Sequence, residues 1–364
     1  MGAHVFVVNK WTFPVHRDRR FCGIINSEKP NIRDGIYADL LTLRKEDLAI
    51  FYKARIDETP EDRGFYGIYR IKSDPFFDDS LIQGVGAFAS HAVIGEETQE
   101  KGLTPLPEGK KRPVLPNRIL LEDDPVVYFE RPIPDNIAYV DRADPEQLWT
   151  MLFRKVSGPG RARSITHLLP EEEKKVIRLL YKMNLTPTDP PAMKAYNGNT
   201  KNPIRLDLSL ARNGAFDYET TLKAWLAQNI DKNISVLREV IGPPEDIEFF
   251  SPEVLYGIGG EKVDFLVLHR KKWKDGTTFR YKVTVIEAKK DGLDEDTVFQ
   301  VQRYSRWMSQ LVPGSDVSIV QPVLIGNTAD ADVVKTAEAS RYGRQPIIIE
   351  YSADKKGVKL TRKL

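Results

Sequence analysis

Two short stretches decide the fold of the second half of the chain: GGEKVDFLV at residues 259–267 and VTVIEAK at residues 283–289. Each is an apolar run typical of a buried strand, interrupted by one acid, Asp264 in the first and Glu287 in the second. The KDG sequence at residues 274–276 predicts a hairpin turn between them. The two runs are then neighbouring strands, so we expect their carboxylates to converge.

These two acids and a nearby lysine carry the chemistry that the pattern suggests. Carboxylate oxygens are ligands for divalent cations, and Lys289 shares the strand face of Glu287. A cation held by Asp264 and Glu287 would lower the pKa of a bound water and stabilise charge on a phosphate, while Lys289 would position or help deprotonate that water. The same residues also fit weak surface ion pairs with Lys262 or Lys289, and the pattern alone leaves both interpretations open.

The surrounding sequence predicts a mixed α/β layer. One amphipathic helix is expected from Asp217, a plausible N-cap, to Leu237. The other predicted elements are strands at 247–250, 254–256, 263–268 and 281–288, a helix at 296–311, a strand at 317–325, a helix at 330–342 and a strand at 346–351.

This arrangement resembles the PD-(D/E)XK nuclease superfamily, whose core runs helix, three strands, helix, strand, with D…(D/E)xK across the central hairpin. Asp264, Glu287 and Lys289 match that motif, while Val263 stands where the motif name has proline. The similarity covers roughly residues 205–325 and implies a restriction-endonuclease-like fold with a mixed central sheet.

Two neighbouring helices extend the resemblance toward the RecB-like branch and the archaeal NucS-type nucleases. Glu219 lies in the preceding helix, and Gln300 and Tyr304 lie four apart in the following one. The resemblance implies Mg²⁺ or Mn²⁺ as cofactor, with Asp264, Glu287 and Ala288 as metal-binding residues and Glu219 assisting through a water or a second ion. It also implies that Lys289 activates the water and that Gln300 and Tyr304 order the wall of the site and contact a phosphate, although Tyr304 equally fits packing at the core edge.

A basic hairpin lies between the two acids. Residues 262–290 hold nine Lys and Arg against three Asp and Glu. A basic run with an aromatic residue inside it suits phosphate contacts and base stacking, and a solvated hairpin tip is the competing interpretation. The candidate nucleic-acid-binding residues here are Arg270, Lys271, Lys272, Trp273 and Lys274.

The first 140 residues have a different pattern. Short apolar or alternating runs at 4–8, 48–54, 65–71 and 126–129 predict a small β-barrel or sandwich. The sequences HVFVVNKW at 4–11, LAIFY at 48–52, and FYGIYRI at 65–71 followed by DPFF at 74–77 resemble the PUA-like superfamily, particularly its EVE-type members. That resemblance implies a PUA-like β-barrel that binds nucleic acid and can hold a modified base in a pocket.

Such a pocket needs flat aromatic walls to stack a base and polar groups to read its edge. The candidate residues are Trp11, His16, Arg17, Tyr52, Phe65, Tyr66 and Phe76. Aromatic residues on the strands of a small barrel also fit its core, and both interpretations stay open for each of them.

The sequence divides into three parts: a nucleic-acid reader at 1–144, a helical connector and linker at 145–204, and a nuclease domain at 205–364. Helical patterns at 146–156 and 170–183 define the connector, and four prolines between 184 and 203 indicate a linker.

The composition is that of a folded globular chain. A net charge of +2, with 41% hydrophobic and 29% charged residues, excludes a disordered or collagen-like protein and does not by itself indicate a nucleic-acid binder. The single cysteine, Cys22, excludes an internal disulfide and a cysteine-rich zinc site, and we expect it to be a buried hydrophobe. No signal peptide or membrane-spanning run is found, which predicts a cytoplasmic protein.

The combined expectation is a Mg²⁺-dependent DNA endonuclease directed by a reader of base modification, as in modification-dependent restriction. Its partner is DNA, with or without a modified base, and a homodimer is expected if both strands are cut. Three alternatives stay open: a structure- or mismatch-dependent DNA repair nuclease, a non-catalytic nucleic-acid-binding protein with a nuclease-like scaffold, and an RNA-binding protein.

Overall fold

The structure is a computed structural model that describes residues 2–8, 12–53, 64–79, 115–129, 164–184, 186–256, 261–311, 316–341 and 343–364. The chain forms two compact units. The first unit comprises Met1–Ser27 and Leu43–Ile204, and the second comprises Glu28–Thr42 and Arg205–Leu364. This division differs from the predicted one in two places, because residues 28–42 join the second unit and the described part of the predicted connector and linker belongs to the first.

Short strands and three helices make up the described chain as far as residue 204. In order they are β1 (Ala3–Val8), α1 (Phe13–Arg19), β2 (Phe21–Ile24), α2 (Pro30–Leu40), β3 (Leu48–Lys53), β4 (Gly64–Arg70), β5 (Phe76–Phe77), β6 (Asn117–Leu120), β7 (Ile165–Leu168) and α3 (Pro170–Met183). All except α2 belong to the first unit.

The strands of the first unit form two sheets. One has the order β4-β3-β1-β7, with β1 and β3 parallel, and the other has the order β2-β6-β5. The predicted closed barrel is not found among the described residues. Beyond its ladder with β3, strand β4 makes an isolated bridge from Ile68 to Val127, and Ile71 just after the strand makes another to Leu121, so the hydrogen-bonded ladder does not close. Accordingly, the strand predicted at 126–129 is reduced to the single bridge at Val127.

Helix α3 spans the residues predicted for it. Pro170 occupies its first turn, and the Glu172 side chain accepts a hydrogen bond from the Leu169 backbone N–H at 3.0 Å, which satisfies a donor that the helix leaves free. Its buried residues Val176 and Leu180 pack in the core of the four-stranded sheet. The other predicted connector helix, at 146–156, lies outside the described residues.

The predicted linker is mostly exposed but is attached to the first unit at several points. Tyr196 donates to Asp78 at 2.7 Å, the Asn199 backbone N–H donates to Asp78 at 3.0 Å, and Pro203 bridges to Phe76. All of these contacts lie within the first unit. Their partners, Asp78 and Phe76, are buried there.

The second unit continues with an alternating series of helices and strands. In order they are β8 (Ala211–Arg212), β9 (Ala215–Phe216), α4 (Glu219–Asn229), α5 (Ser235–Val240), β10 (Ile247–Tyr256), β11 (Glu261–Lys272), β12 (Thr278–Ala288), α6 (Glu295–Leu311), β13 (Val320–Gly326), α7 (Ala331–Glu338), β14 (Ile347–Asp354) and β15 (Gly357–Arg362).

One six-stranded sheet, β10-β11-β12-β13-β14-β15, organises the second unit. Strands β12, β13 and β14 run parallel to one another and the remaining pairs are antiparallel, so the mixed sheet is confirmed. Its central residues are apolar and almost fully buried, as in Val267, Val285 and Leu324. The sequence interpretation did not include β15.

Helix boundaries in the second unit differ from the prediction. The single helix expected at 217–237 is two helices, because the chain turns through Asp231 and Lys232 after α4. The N-cap of α4 is Tyr218 rather than Asp217. Helix α7 begins after Asp330, whose side chain accepts from the N–H groups of Asp332 and Val333, as an N-cap does.

Helix α2 comes from the first half of the chain but packs against α4. The Thr221 hydroxyl donates to the buried Asp34 carboxylate at 2.5 Å, and Arg33 pairs with the other oxygen of Asp34 at 3.0 Å. Gly35 faces the Thr220 methyl group, which lies 3.9 Å from the position of an added Cβ. These contacts explain why residues 28–42 belong to the second unit.

Cys22 is free and buried, as expected, and burial raises the pKa of its thiol. Within the described ranges, no helix is both long enough and apolar enough to cross a membrane.

Candidate metal centre and candidate reader pocket

The register of the β11–β12 hairpin brings the two predicted acids together. Phe265 pairs with Ile286, so the next pair along these strands is Asp264 opposite Glu287. Both side chains are almost fully buried. The backbone N–H of Ala288 donates to Asp264 Oδ2 at 2.9 Å, which fixes the orientation of that carboxylate.

Lys289 also lies where the strand pattern predicts. Its Nζ donates to Glu287 Oε1 at 2.6 Å, and its backbone N–H donates to Ile325 in the neighbouring strand β13 at 2.8 Å. The second oxygen of Glu287, Oε2, is buried and has no hydrogen-bond partner. An acceptor of this kind is costly to bury unless a donor or a cation reaches it.

A lysine that the sequence interpretation did not single out joins the acids. Lys223 Nζ lies 2.5 Å from Asp264 Oδ1, 2.9 Å from Glu219 Oε1 and 4.0 Å from Glu253 Oε1. Glu219 is thus connected to Asp264 through this ammonium. Glu253 also pairs with Lys262 at 2.6 Å.

The electrostatics of the centre are those of crowded buried acids. Burial raises the pKa of Glu287 to about 8, and the negative charge of Asp264 adds to this effect. Burial also raises the pKa of Asp264, although Lys223 opposes the shift. Burial favours loss of the Lys223 proton, but the attraction of Asp264 and Glu219 outweighs it and raises the pKa of Lys223.

Gln300 and Tyr304 lie on one face of α6, as their spacing predicts. Gln300 Nε2 donates to the Tyr304 hydroxyl at 2.5 Å, and the Tyr304 ring is almost fully buried. Burial of the ring agrees with the packing interpretation, and the hydrogen bond from Gln300 gives the Tyr304 hydroxyl a polar partner.

We tested whether the centre fits a divalent cation. Within the described residues, no group of three or more His, Cys, Asp or Glu side chains is arranged to hold a metal ion. Mg²⁺, however, is commonly held by one or two carboxylates together with water and substrate phosphates. Asp264 and Glu287 provide two converging carboxylates, and Glu287 Oε2 provides an acceptor with no partner, so the residues fit such a cation.

The first unit contains a polar cavity of about 490 Å³. Aromatic rings of Phe13, Tyr66 and Tyr128 form part of its wall, and Arg17 and Lys53 add positive charge. The remaining lining residues are Pro14, Thr188, Asp189 and Pro191. Burial favours loss of the Arg17 proton, but hydrogen bonding to Asp18 outweighs it and raises the pKa of Arg17.

The structure separates the predicted reader residues into two groups. Arg17 and Tyr66 line the cavity, whereas Tyr52 and Phe65 pack together in the core of the four-stranded sheet, where their ring centroids are 5.0 Å apart. The remaining residues, His16 and Phe76, are also buried. These four side chains face the core because they lie on inner positions of packed elements. Trp11 lies outside the described residues.

The tip of the β11–β12 hairpin presents an aromatic pair to solvent. Trp273 is 60% exposed, and its ring centroid lies 4.9 Å from that of Phe279. Lys272 and Lys274 flank Trp273 and are exposed. Flat rings with adjacent ammonium groups can stack a base and contact a phosphate.

The other two basic residues of the hairpin have acidic neighbours. Arg270 lies 3.7 Å from Glu248, and Lys271 lies 3.8 Å from Asp246 and 4.8 Å above the Tyr281 ring. The hairpin therefore carries partly neutralised charges at its base, while Lys272 and Lys274 at its tip form no ion pair with the residues that the structure describes.

Sequence reasoning missed several residues that these sites contain, among them Asp189 and Lys53 of the cavity. Lys223 stands four positions after Glu219, a spacing that places both on one helix face and indicates an ion pair. Phe13 precedes a proline at the start of α1, and Tyr128 follows an acidic turn. No simple spacing indicates Glu253, which has a left-handed backbone conformation with φ of 50°.

The chain has partial similarity to several solved structures. A hypothetical protein from Leishmania major has a TM-score of 0.31 at 10% identity, and the match covers 50% of this chain and 96% of that one. Human THYN1, solved in complex with DNA containing 5-methylcytosine, has a TM-score of 0.28 at 15% identity, covering 49% and 97%. A repair endonuclease from Pyrococcus abyssi has a TM-score of 0.23 at 20% identity, covering 34% of this chain and 47% of that one.

No family model and no curated protein matches the chain. The chain spans less than half of the length of the Pyrococcus endonuclease.

Proposed function

We propose that the second unit is a Mg²⁺-dependent nuclease centre that hydrolyses phosphodiester bonds of DNA. The observation that carries this proposal is the convergence of Asp264, Glu287 and Lys289, with one Glu287 oxygen buried and without a partner. Leaving a buried acceptor without a partner costs free energy, and a cation beside Glu287 Oε2 would remove that cost.

The residues divide the chemistry among them. Asp264 and Glu287 would hold the cation, with the backbone of Ala288 beside them. A bound cation would polarise the scissile phosphate and lower the pKa of a water. Lys289 is held by Glu287 at the edge of the centre, where its ammonium can orient the attacking water and stabilise charge on the phosphate. Glu219 would contact a water or a second ion. The Gln300–Tyr304 pair supports the adjacent wall.

DNA contact is assigned to the hairpin that carries the acids. Its exposed tip combines Trp273 with Lys272 and Lys274, which suits phosphates and an accessible base. Arg270 and Lys271 at its base would add to this contact if phosphate competes with Glu248 and Asp246 for them.

The first unit is proposed to read a modified base in DNA through its cavity. Phe13, Tyr66 and Tyr128 offer faces for stacking, while Arg17 and Asp189 offer a donor and an acceptor for a base edge. A pocket of this kind would make cleavage depend on modification. In a cell, that behaviour corresponds to modification-dependent restriction.

Cleavage assays test both parts of the proposal. Duplexes with plain, methylated and hydroxymethylated cytosine are incubated with the full chain and Mg²⁺. We expect cleavage of a modified duplex, and we expect Glu287→Ala to lower the rate by about 10²–10³-fold or more, because the centre loses a ligand. Glu338→Ala, an exposed glutamate in α7, is the matched control and should cleave like wild type.

The outcomes separate the alternatives. No cleavage of any nucleic acid by the wild type, or equal cleavage by Glu287→Ala, contradicts the nuclease assignment. Equal rates on plain and modified duplexes with faster rates on branched or mismatched DNA favour a structure-directed repair nuclease instead. Tyr66→Ala should reduce the preference for modified DNA while retaining cleavage of plain DNA at high concentration.

A further inference from the structure

Lys223 lies at the middle of the candidate metal centre and has no role in the chemistry described above. Its side chain is 10% exposed, and its ammonium contacts Asp264 Oδ1 at 2.5 Å and Glu219 Oε1 at 2.9 Å. A long cationic side chain seldom becomes this buried unless the partners neutralise it. The position of Lys223 is therefore set by the acids.

The contacts of Asp264 show what the ammonium does. Asp264 Oδ2 accepts from the backbone of Ala288, and Oδ1 contacts Lys223. Oδ1 is therefore the oxygen on which Lys223 and a cation would compete. A divalent ion at its usual distance of about 2.0–2.6 Å from Oδ1 would stand close to the ammonium, and two positive charges at that distance repel strongly.

A second acid gives the ammonium another place to go. Glu253 Oε1 is 4.0 Å from Lys223 Nζ, and Glu219 is already bonded to it on the same helix. A rotation about the flexible lysine side chain can replace the contact with Asp264 by one with Glu253 while the contact with Glu219 persists.

We propose that Lys223 is a resident counterion of the metal centre, which neutralises Asp264 in the metal-free protein and moves toward Glu253 when a divalent cation binds. The inference rests on the proposed metal centre. It makes Lys223 a positioning residue that sets the affinity for metal. It also explains how a centre of several buried acids stays folded before the metal arrives, since the ammonium offsets part of their repulsion.

The test measures metal binding rather than cleavage. Binding of Mn²⁺ to the full-length chain is followed by electron paramagnetic resonance and by calorimetry for the wild type, Lys223→Met and Lys223→Arg. Methionine keeps much of the side-chain length and removes the charge, so we expect Mn²⁺ to bind about tenfold or more tightly, in the range by which neighbouring groups tune metal sites. Arginine keeps the charge, and its affinity should stay within about threefold of wild type.

Lys335→Met is the matched control. Lys335 is an exposed lysine paired with Asp332 on α7, far from the acids in the sequence, and its loss should leave Mn²⁺ affinity unchanged. Thermal melting adds a second readout. The metal-free Lys223→Met protein should melt below wild type, and saturating Mn²⁺ should raise its midpoint by more than it raises that of wild type.

A measurement on the unaltered protein covers the case in which Lys223→Met fails to fold. With ¹⁵N-labelled lysine, the Nζ resonance of Lys223 should shift when Mg²⁺ saturates the wild type. An unchanged resonance overturns the inference, as does folded Lys223→Met that binds Mn²⁺ no more tightly than wild type. If the wild type binds Mn²⁺ and Lys223 does not respond, only this inference fails; if no protein binds Mn²⁺, the proposed metal centre fails with it.

Discussion

Each unit of this protein buries a group of charged side chains, and the two groups are built differently. In the first unit, Asp78 accepts from Arg118 at 2.9 Å, from the Tyr196 hydroxyl at 2.7 Å and from the Asn199 backbone at 3.0 Å. Arg118 in turn lies 4.6 Å above the Phe21 ring and donates to Leu115 at 2.8 Å. One acid is surrounded by donors, and both of its oxygens are used.

In the second unit, two acids are buried beside each other. Asp264 and Glu287 face each other across a hairpin, and one oxygen of Glu287 has no partner. Burial disfavours the ionised form of each acid, and the charge of Asp264 further raises the pKa of Glu287. The comparison teaches that burial alone does not mark a functional site. The two groups differ in that one buried oxygen of Glu287 has no partner, and under the proposed function a bound cation would satisfy it.

The largest expected difference between the two groups is in stability. Asp78→Asn leaves Arg118 buried without its counter-charge and should lower the free energy of unfolding of the first unit by about 3–5 kcal/mol. Glu287→Gln should leave the stability of the second unit within about 0.5 kcal/mol of wild type or raise it, because it removes a charge that burial disfavours. Chemical denaturation with amide hydrogen exchange, read in β6 and β12, measures each unit separately. Equal losses in both variants would show that the two groups are both structural.

A second prediction uses one buried histidine from each unit. Burial, followed by the charge of Arg118, lowers the pKa of His16 to about 3, and burial with Lys282 does the same for His269. Because the unfolded chain takes up these protons at about pH 6.5, stability is full above that pH and falls as the pH drops toward 3. Each histidine should cost its unit about 2 kcal/mol at pH 5.

His269→Gln tests this prediction in the second unit alone. The glutamine can keep a hydrogen bond to Thr284, which His269 Nε2 contacts at 2.9 Å. Denaturation curves at pH 5 and pH 7.5 should then differ less for β12 than in wild type, while the first unit keeps its full acid sensitivity. An unchanged acid sensitivity of β12 would show that another group titrates there.

The smallest effect concerns DNA affinity. Trp273 is exposed, so Trp273→Ala should leave the fold intact and weaken DNA binding by about 1 kcal/mol, or roughly fivefold, through the loss of one stacking surface. Fluorescence anisotropy with labelled DNA at several salt concentrations measures this change. The cavity variant Tyr66→Ala serves as the comparison, since it should alter discrimination between modified and plain DNA and leave general affinity almost unchanged. The reverse pattern would exchange the roles given to the two units.

Local patterns in the sequence predicted the parts of the fold that depend on near neighbours. The KDG turn predicts the β11–β12 hairpin and therefore the approach of Asp264, Glu287 and Lys289. Their exact pairing also needs a bulge between His269 and Arg270, which shifts the register by one residue so that Asp264 opposes Glu287. Helix α3 was predictable because Pro170 and three glutamates mark its first turn.

Features that depend on distant contacts were not predictable in this way. Glu253 reaches the centre because β10 pairs with β11 in a register that puts Pro252 opposite Phe265 and Val254 opposite Val263, so that Glu253 stands opposite Asp264. In the first unit, alternation showed that Tyr52 and Tyr66 lie on strands but did not show which side faces the core. Tyr66 lines the cavity, while Tyr52 fills the interior.

The packing of helix α2 sets the order in which the two units can finish folding during synthesis. Its residues leave the ribosome early, but the helix against which they pack, α4, is made roughly 180 residues later. At translation speeds of about 5–20 residues per second, α2 waits about 10–40 s for its partner. During that time the first unit can complete its own core while α2 still lacks α4 to pack against. The second unit is therefore the last to finish folding, and residues 205–364 alone lack one of its helices.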